Sequence, residues 1–237
     1  MFAVISDIHG NLEALQSVLT FLSERNIDNV ICLGDTVGYG PNPNESIELL
    51  RKHHIICCLG NHDAASIGET SIYQFNSIAA EAVLWTKSEL TRESIAFLKT
   101  LPLTVSHQKY LFVHASPDNP KDWQYLHSEY EITESFKFFS QSICFVGHTH
   151  RPYIFSEKRK QITEKSVELQ ADDRYVINVG SVGQPRDGDP RSCLVIIDEE
   201  KSIASIERIG YDVDRVGFKI RHAGLPAYLA ERLSRGM

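Results

Sequence analysis

Short apolar segments typical of buried β-strands recur along the chain, and five of them stop directly at a motif that contains Asp, Asn or His. These segments are residues 2–5, 30–33, 55–59, 111–113 and 143–146. Side chains that follow strands gather at one end of a sheet, where the loops of α/β proteins carry functional residues. The pattern therefore predicts a sheet protein with one polar site at its strand ends.

Helical patterns separate the strands in the first half of the chain. Apolar residues recur at helical spacing from about Asn11 to Glu24, directly after the first strand. After the second strand, Asn42 is a candidate N-cap, with Pro43 at the first helical position and Glu45 completing a capping box. Two further helices are predicted over residues 77–88 and 92–100. Alternation of this kind favours an α/β fold.

The second half is richer in strands. Residues 103–106 and 111–113 predict a hairpin, and Ser128 with Glu131 forms a capping box before another helix. Short strands are predicted at residues 153–155, 166–169, 175–179, 193–197 and 203–206, with a final helical stretch from about Asp212. No linker or repeat interrupts the chain, so we expect one domain over residues 1–237. Its predicted fold has two mixed β-sheets packed face to face with helices outside, a four-layer α/β/β/α sandwich.

Charge and composition limit the possible partners. The formal net charge is −7, which argues against a broad basic face for nucleic acid. No stretch approaches the roughly 20 consecutive apolar residues of a membrane helix, and no leader is recognised before the first strand. The five cysteines are odd in number and most lie in apolar runs, so we expect reduced core thiols and a cytoplasmic protein.

The motifs at the strand ends carry the ligand types of a metal site. Each is weak alone, because single Asp and His residues at strand ends usually cap turns or face solvent. Five together predict one shared site. The motif residues are Asp7 and His9, Asp35, Asn61 to Asp63, His114, and His148 with His150.

The donor set indicates the kind of ion. Carboxylate, imidazole and amide oxygen without thiolate favour Mn, Fe, Co, Ni or Zn in a five- or six-coordinate site. Seven side chains are too many for one such ion that must also bind water, so two divalent ions bridged by one carboxylate are expected. The positive charge of two divalent ions exceeds the negative charge of the aspartates. The site therefore keeps a net positive charge, which suits an anionic phosphate oxygen.

The motifs resemble those of the calcineurin-like metallophosphoesterase superfamily, with the pattern D-x-H, G-D, G-N-H-[DE], a lone His and G-H-x-H. Every element is present in order from Ile5 to His150, and residues 178–183 resemble the Asn-Pro-Gly-Ser segment of its small prokaryotic phosphodiesterase branch. The resemblance implies that His62 is the catalytic acid and that Asp35 bridges the two ions. It implies a first metal held by Asp7, His9, Asp35 and His150, and a second held by Asp35, Asn61, His114 and His148.

Two departures narrow this implication. Val179 stands where the branch commonly has Pro, so we expect a less restricted backbone in that segment. Thr36 follows Gly34-Asp35 where phosphoprotein phosphatases of the superfamily have Asp-Arg-Gly, so the arginine that would bind the phosphate is missing at that point. The full ligand set also argues against noncatalytic scaffold members.

These observations predict a dinuclear metallophosphoesterase in which a metal-bridging hydroxide attacks a small phosphodiester, with nucleotide derivatives as candidate substrates. Open alternatives are a metal-containing partner-binding module of the same fold, a phosphomonoesterase or a nuclease.

Candidate substrate contacts are Arg186, Tyr39 and Asn76. The segment with Trp85 and the loop at residues 116–128 are predicted to roof the site. The oligomeric state and the native metal are not predicted. Five other histidines match no motif and are assigned to structural or surface positions: His53, His54, His107, His127 and His222.

Overall fold

The computed structural model describes residues 1–162 and 165–237, and its strands form two six-stranded sheets. In chain order the strands are β1 Phe2–Ile5, β2 Val30–Cys32, β3 Ile56–Cys57, β4 Thr104–His107, β5 Tyr110–Val113, β6 Ile143–Val146, β7 Tyr153–Ser156, β8 Lys160–Ile162, β9 Ser166–Glu168, β10 Tyr175–Asn178, β11 Ser192–Asp198 and β12 Ile203–Ile209. The first sheet has the order β3-β2-β1-β11-β12-β9, and the second has β4-β5-β6-β10-β7-β8.

Helices lie outside the two sheets. In the described part of the chain the α-helices are α1 Leu12–Ser23, α2 Pro43–Lys52, α3 Asn61–Ser66, α4 Ser77–Glu89, α5 Arg92–Leu98, α6 Glu129–Ser135, α7 Val213–His222 and α8 Ala227–Leu233. Leu15, Val18 and Leu22 of α1 pack against the first sheet, and Ile132 of α6 packs against the second.

Both sheets are mixed. In the first, β1, β2 and β3 are parallel and β11 is antiparallel to β1. In the second, β5, β6 and β10 are parallel, β4 is antiparallel to β5, and β7 is antiparallel to β10. The parallel strands place the carboxyl ends of β1, β2, β5 and β6 at the edge where the motifs begin.

An aromatic core joins the two sheets. Phe2 and Val4 of β1 pack against the second sheet, where the rings of Phe112 and Phe145 stack with centroids 5.2 Å apart. These residues are buried, as the continuous apolar runs indicate. The predicted face-to-face sandwich with outer helices is confirmed.

Helix caps confirm one prediction and correct another. The capping box of Ser128 and Glu131 forms as predicted, and Asn11 also caps α1 by accepting from the backbone N–H of Ala14. The capping box of Asn42 and Glu45 is wrong, because the N–H of Asn42 donates to the carbonyl of Gly10 and its side-chain amide donates to Glu45 instead.

Several elements also differ from the sequence prediction. The third strand has only two residues, because Leu59 leaves the ladder and donates to the carbonyl of Pro102. The final helical stretch is divided into α7 and α8 around Gly224, whose φ of 73° ends the first helix. The short elements α3 and β8 were not predicted, because six and three residues carry too little periodicity.

Candidate metal centre

The polar motifs at the five strand ends meet at one edge of the sandwich. Asp7 and His9 follow β1, and Asp35 follows β2. Asn61 begins α3 after β3, while His114, His148 and His150 follow β5 and β6. All seven side chains are at most 8% exposed. The structure therefore brings together every residue that the sequence nominated as a ligand.

Five of these seven residues have left-handed backbone conformations. Their φ angles are 55° for Asp7, 52° for His9, 50° for Asp35, 64° for His148 and 59° for His150. Asp and His enter this region more readily than most residues, yet each such residue costs about 1–3 kcal/mol. Strain of this kind persists only where the surrounding structure enforces it, and it is concentrated here at the strand ends.

The nitrogen and oxygen atoms form a first group around Asp7. Nε2 of His150 lies 3.2 Å from Oδ1 of Asp7 and 3.1 Å from Nε2 of His9. Nε2 of His9 lies 3.7 Å from the same Asp7 oxygen. These three side chains present their ligand atoms to one point.

A second group is centred on His114. Its Nε2 lies 3.1 Å from Oδ1 of Asn61 and 3.2 Å from Nδ1 of His148. Oδ2 of Asp35 lies 3.4 Å from this nitrogen and 3.7 Å from Nε2 of His9 in the first group. One carboxylate oxygen of Asp35 therefore faces both groups.

Backbone carbonyls orient three of the histidine rings. His9 Nδ1 donates to the carbonyl of Val37 at 3.1 Å, His150 Nδ1 to that of Gln184 at 2.5 Å, and His148 Nε2 to that of Trp123 at 3.0 Å. A carbonyl only accepts, so the hydrogen lies on that nitrogen and the opposite nitrogen turns its lone pair into the cluster. Such bonds prepare histidines as metal ligands.

The two aspartates show why the cluster fits cations. Asp7 Oδ2 accepts from the N–H of His148 at 3.0 Å, and Asp35 Oδ1 accepts from that of His62 at 2.8 Å. Among the described residues, the other oxygens, Asp7 Oδ1 and Asp35 Oδ2, are buried without a hydrogen bond. A buried carboxylate oxygen needs a compensating partner, and a divalent ion with nitrogen and oxygen ligands supplies one. The residues therefore fit metal ions.

Charges within the cluster are strongly coupled. Burial raises the pKa of the Asp35 carboxyl, but His114 and His62 outweigh it and hold that pKa well below its usual range. Burial lowers the pKa of His114, whereas Asp35 and Asp7 raise it, with a net result of about 9. Positive charge is thus favoured next to the aspartates.

His62 lies beside the first group, at the start of α3. Its ring is 5% exposed and contacts the rings of Tyr39, Phe75 and His9, with centroids 4.5, 4.8 and 4.8 Å away. Its Nδ1 makes no hydrogen bond among the described residues. Burial lowers the pKa of His62 to about 4, against the opposing effect of Asp35. The ring therefore favours its neutral form.

The three candidate substrate contacts have different surroundings. Arg186 donates to Gln184 Oε1 at 3.0 Å and to the Tyr39 hydroxyl at 3.4 Å, and its backbone N–H donates to the carbonyl of His150. Tyr39 and Arg186 therefore adjoin the cluster. Asn76 instead caps α4 by accepting from the N–H of Ala79, and its side chain is exposed.

The segment around Val179 is buried and hydrogen-bonded. Val179 is fully buried, and its N–H donates to the carbonyl of Val146 at 2.9 Å. Asn178 donates to the carbonyl of Gly147 and accepts from the N–H of Gly180. These hydrogen bonds restrain the segment without a proline ring, and the expectation of a less restricted backbone stays a prediction.

One contributor to the site was named in a motif without an assigned role, and another was missed in the sequence. Asp63 accepts from the N–H groups of Val37 and Gly60 at 3.0 and 3.1 Å, and burial and Asp35 raise its pKa to about 7. Its position three residues after Gly60, at a helix start, was the available signal.

Tyr125 stacks on His148 with centroids 3.9 Å apart, and no local pattern indicates that contact. It lies in the loop at 116–128 that was predicted to roof the site.

Two mixed sheets packed face to face, helices outside, and a buried Asp, Asn and His cluster at the strand ends define a metallophosphoesterase. The calcineurin-like phosphoesterase superfamily domain matches residues 1–202, and the chain belongs to this superfamily. It is accordingly a hydrolase of phosphoric ester bonds.

Similar proteins cover the whole chain. An uncharacterized protein of Methanocaldococcus jannaschii is 42% identical over 241 residues, covering 100% of this chain and 98% of that protein. The crystal structure of a metallophosphoesterase from Sphaerobacter thermophilus has a TM-score of 0.89 and 36% identity, with 100% and 98% of the two chains covered. A hypothetical protein from Pyrococcus horikoshii OT3 shares the fold, with a TM-score of 0.81, 20% identity and coverage of 100% and 99%. No helix in the described part of the chain is long and apolar enough to cross a membrane.

Proposed function

We propose that the chain is a dinuclear metal-dependent phosphoesterase that hydrolyses a small phosphodiester. The observation that carries this proposal is the position of Asp35 Oδ2, which lies within 3.7 Å of a histidine nitrogen from each of the two ligand groups. A single-ion site does not need a buried carboxylate shared between two groups. We assign this role to one metallophosphoesterase domain over residues 1–237.

The proposed ligands are those that the motifs nominated. Asp7, His9 and His150 would hold the first ion, and the second would be held by Asn61, His114 and His148, with Asp35 shared. Manganese, iron, cobalt, nickel and zinc all accept this donor set. When bound, such a pair of ions supplies Lewis acidity and an activated water molecule.

His62 would serve the leaving group. Its ring is held against Tyr39, Phe75 and His9, and the Nδ1 atom has no competing hydrogen bond among the described residues. A neutral ring fixed in this way would assist the leaving oxygen by donating an N–H hydrogen bond to it, with little loss of side-chain entropy.

Arg186 would bind the phosphate oxygens. Its guanidinium lies 5.7 Å from the centroid of the Tyr39 ring and donates to the Tyr39 hydroxyl, so it is held in place next to His62. Arg186 would donate bidentate hydrogen bonds to the phosphate and supply a positive charge. In phosphoprotein phosphatases of the superfamily, the arginine of the Asp-Arg-Gly motif, which this chain lacks, has that role.

A small substrate is favoured over a polymer. The loop at 116–128 covers His148, through the carbonyl of Trp123 and the ring of Tyr125. A net charge of −7 offers no basic track for nucleic acid. We therefore propose a preference for small diesters over phosphoprotein or duplex DNA.

A cytoplasmic location accompanies this proposal. All five cysteines are buried and free, as expected of thiols in a reducing compartment. Fractionation of the source cells would test it, and recovery from an extracellular fraction would contradict it.

The decisive experiment loads the purified chain with Mn²⁺, Ni²⁺ or Zn²⁺ and measures hydrolysis of bis(p-nitrophenyl) phosphate, p-nitrophenyl phosphate, a phosphopeptide and duplex DNA. We expect the highest kcat/KM on the diester and loss of activity with a chelator. Absence of turnover with every metal would favour the partner-binding module. Fastest turnover of the monoester, the phosphopeptide or DNA would replace the proposed substrate class.

A further inference from the structure

A cavity of about 620 Å³ opens next to the metal centre, on the side of β6 and β7. This volume is within the range of about 300–1,000 Å³ that is usual for small-molecule sites. The lining residues that matter here are Tyr125, His127, Thr149, Arg151, Tyr153 and Arg186. None of the motifs that indicated the metal centre predicted this cavity.

The cavity adjoins the metal centre. Thr149 lies between His148 and His150 in the chain, and Arg186 donates through its backbone to the carbonyl of His150. The ring of Tyr125 stacks directly on His148. A substrate with its phosphate at the metal centre would therefore extend its second group into this space.

Three parallel rings lead from the metal centre to the cavity. Tyr125 stacks on His148 at 3.9 Å with an interplanar angle of 18°, and on His127 at 4.7 Å with an angle of 10°. Two rings cannot share one face of Tyr125 at these separations, so Tyr125 is sandwiched between them. His127 ends the stack with an exposed ring, on which a planar group would continue the series.

Cations lie at the same cavity. Arg151 donates through Nε to the backbone carbonyl of Arg186 at 2.9 Å, and both arginines line the cavity. Arg151 is exposed, so its guanidinium is available to bind an anionic group in the cavity. An aromatic platform beside two guanidinium groups suits a planar heterocycle attached to phosphate.

We propose that this cavity is a nucleoside subsite, in which the base stacks on His127 and the arginines bind phosphate oxygens, so that the substrate is a nucleotide-derived phosphodiester. The inference rests on the proposed hydrolase function, because it assigns the second half of the same substrate.

Turnover tests the subsite with two esters that share a leaving group and a charge, thymidine 5′-(p-nitrophenyl) phosphate and methyl p-nitrophenyl phosphate. We expect kcat/KM to be about 5- to 100-fold higher for the thymidine ester, the range of base–aromatic stacking. His127→Ala should remove most of this preference. His222→Ala is the matched control, because His222 stacks on Phe218 at 5.8 Å outside this cavity. An unchanged preference in His127→Ala would overturn the proposal.

Binding separates the subsite from the hydrolase function. Calorimetry of the Mn²⁺-loaded protein compares adenosine 5′-monophosphate with ribose 5-phosphate, and we expect the nucleotide to bind about 5- to 100-fold more tightly. Selective binding without hydrolysis of any ester would support the subsite and reject the proposed function. Equal binding of the two ligands would reject the subsite, while hydrolysis of the methyl ester would leave the function intact.

The arginine is tested in the same assay. Arg151→Gln should weaken both ligands by about the same factor, roughly tenfold, because it removes charge from the phosphate and leaves the base platform. His127→Ala should weaken only the nucleotide. If Arg151→Gln changed neither affinity, the assigned role of Arg151 would be wrong.

Discussion

The backbone N–H of His62 donates a hydrogen bond of 2.8 Å to Oδ1 of Asp35. This bond joins the proposed acid to the proposed bridging carboxylate and turns Oδ2 of Asp35 towards both ligand groups. The approach requires Gly60, because a Cβ at that position would lie 2.1 Å from Asp35 Oδ1. The start of α3 thus positions the carboxylate and the histidine together.

Asp35→Asn is expected to weaken both metal sites at once. The substitution removes the charge on the oxygen that faces His9 and His114, and loss of an orienting or ligating group costs at least about 10- to 100-fold in metal affinity. Elemental analysis of the purified variant after dialysis measures the metal content. Asp28→Asn, at an exposed carboxylate, is the control and should keep the full metal content. Retention of two ions by Asp35→Asn would refute the bridging role.

His62→Ala is expected to keep the metal content and lose catalysis. Removing a general acid lowers kcat by about 10²- to 10⁴-fold. Steady-state kinetics on the aryl diester, combined with metal analysis, distinguishes this from loss of the ions. His54→Ala, at an exposed histidine, should retain activity. A His62→Ala variant with near-normal kcat would show that another group assists the leaving oxygen.

Arg186→Gln is expected to lower kcat/KM by about 10- to 100-fold, since a hydrogen bond to a charged group contributes about 1.5–3 kcal/mol. The control is Arg191→Gln, because Arg191 is exposed and paired with Asp189 at 2.6 Å. Equal activities of the two variants would remove Arg186 from the substrate site. Thermal unfolding of both variants checks that the fold is retained.

Val179→Pro is expected to destabilise the protein. Proline has no N–H to donate to the buried carbonyl of Val146, and an unsatisfied buried acceptor costs about 1–3 kcal/mol. Val179→Ala keeps the N–H and measures the loss of side-chain packing alone. Urea unfolding compares the two variants, and a proline variant as stable as the alanine variant would disprove the role of this bond.

A chelator is expected to lower the Tm. Ions that bind only the folded state stabilise it by about 2.7 kcal/mol at a concentration of 100 Kd, which for a chain of this length corresponds to roughly 5–10 °C. Removal would also leave the buried oxygens of Asp7 and Asp35 uncompensated. Calorimetric scans with and without chelator, followed by Mn²⁺, measure the effect. An unchanged Tm would contradict tight binding at this cluster.

Much of the fold followed from local patterns. The apolar runs predicted β1, β2 and β6, and helical spacing from about Asn11 predicted α1, because burial patterns depend on neighbouring residues. The absence of the predicted capping box at Asn42 did not follow from the local pattern. The backbone N–H of Asn42, which Glu45 would accept from in a capping box, donates to the carbonyl of Gly10, a residue distant in sequence.

The sequence by itself determined which residues form the candidate metal centre, because ligand chemistry is carried by side-chain type and each ligand follows a strand in a short motif. Only the tertiary structure decided what surrounds them. The stack of Tyr125 on His148, the place of Arg186 beside Tyr39 and the restraint of Val179 by Val146 join segments distant in sequence. Such contacts arise from the packing of loops between two sheets, and no periodicity along the chain encodes that packing.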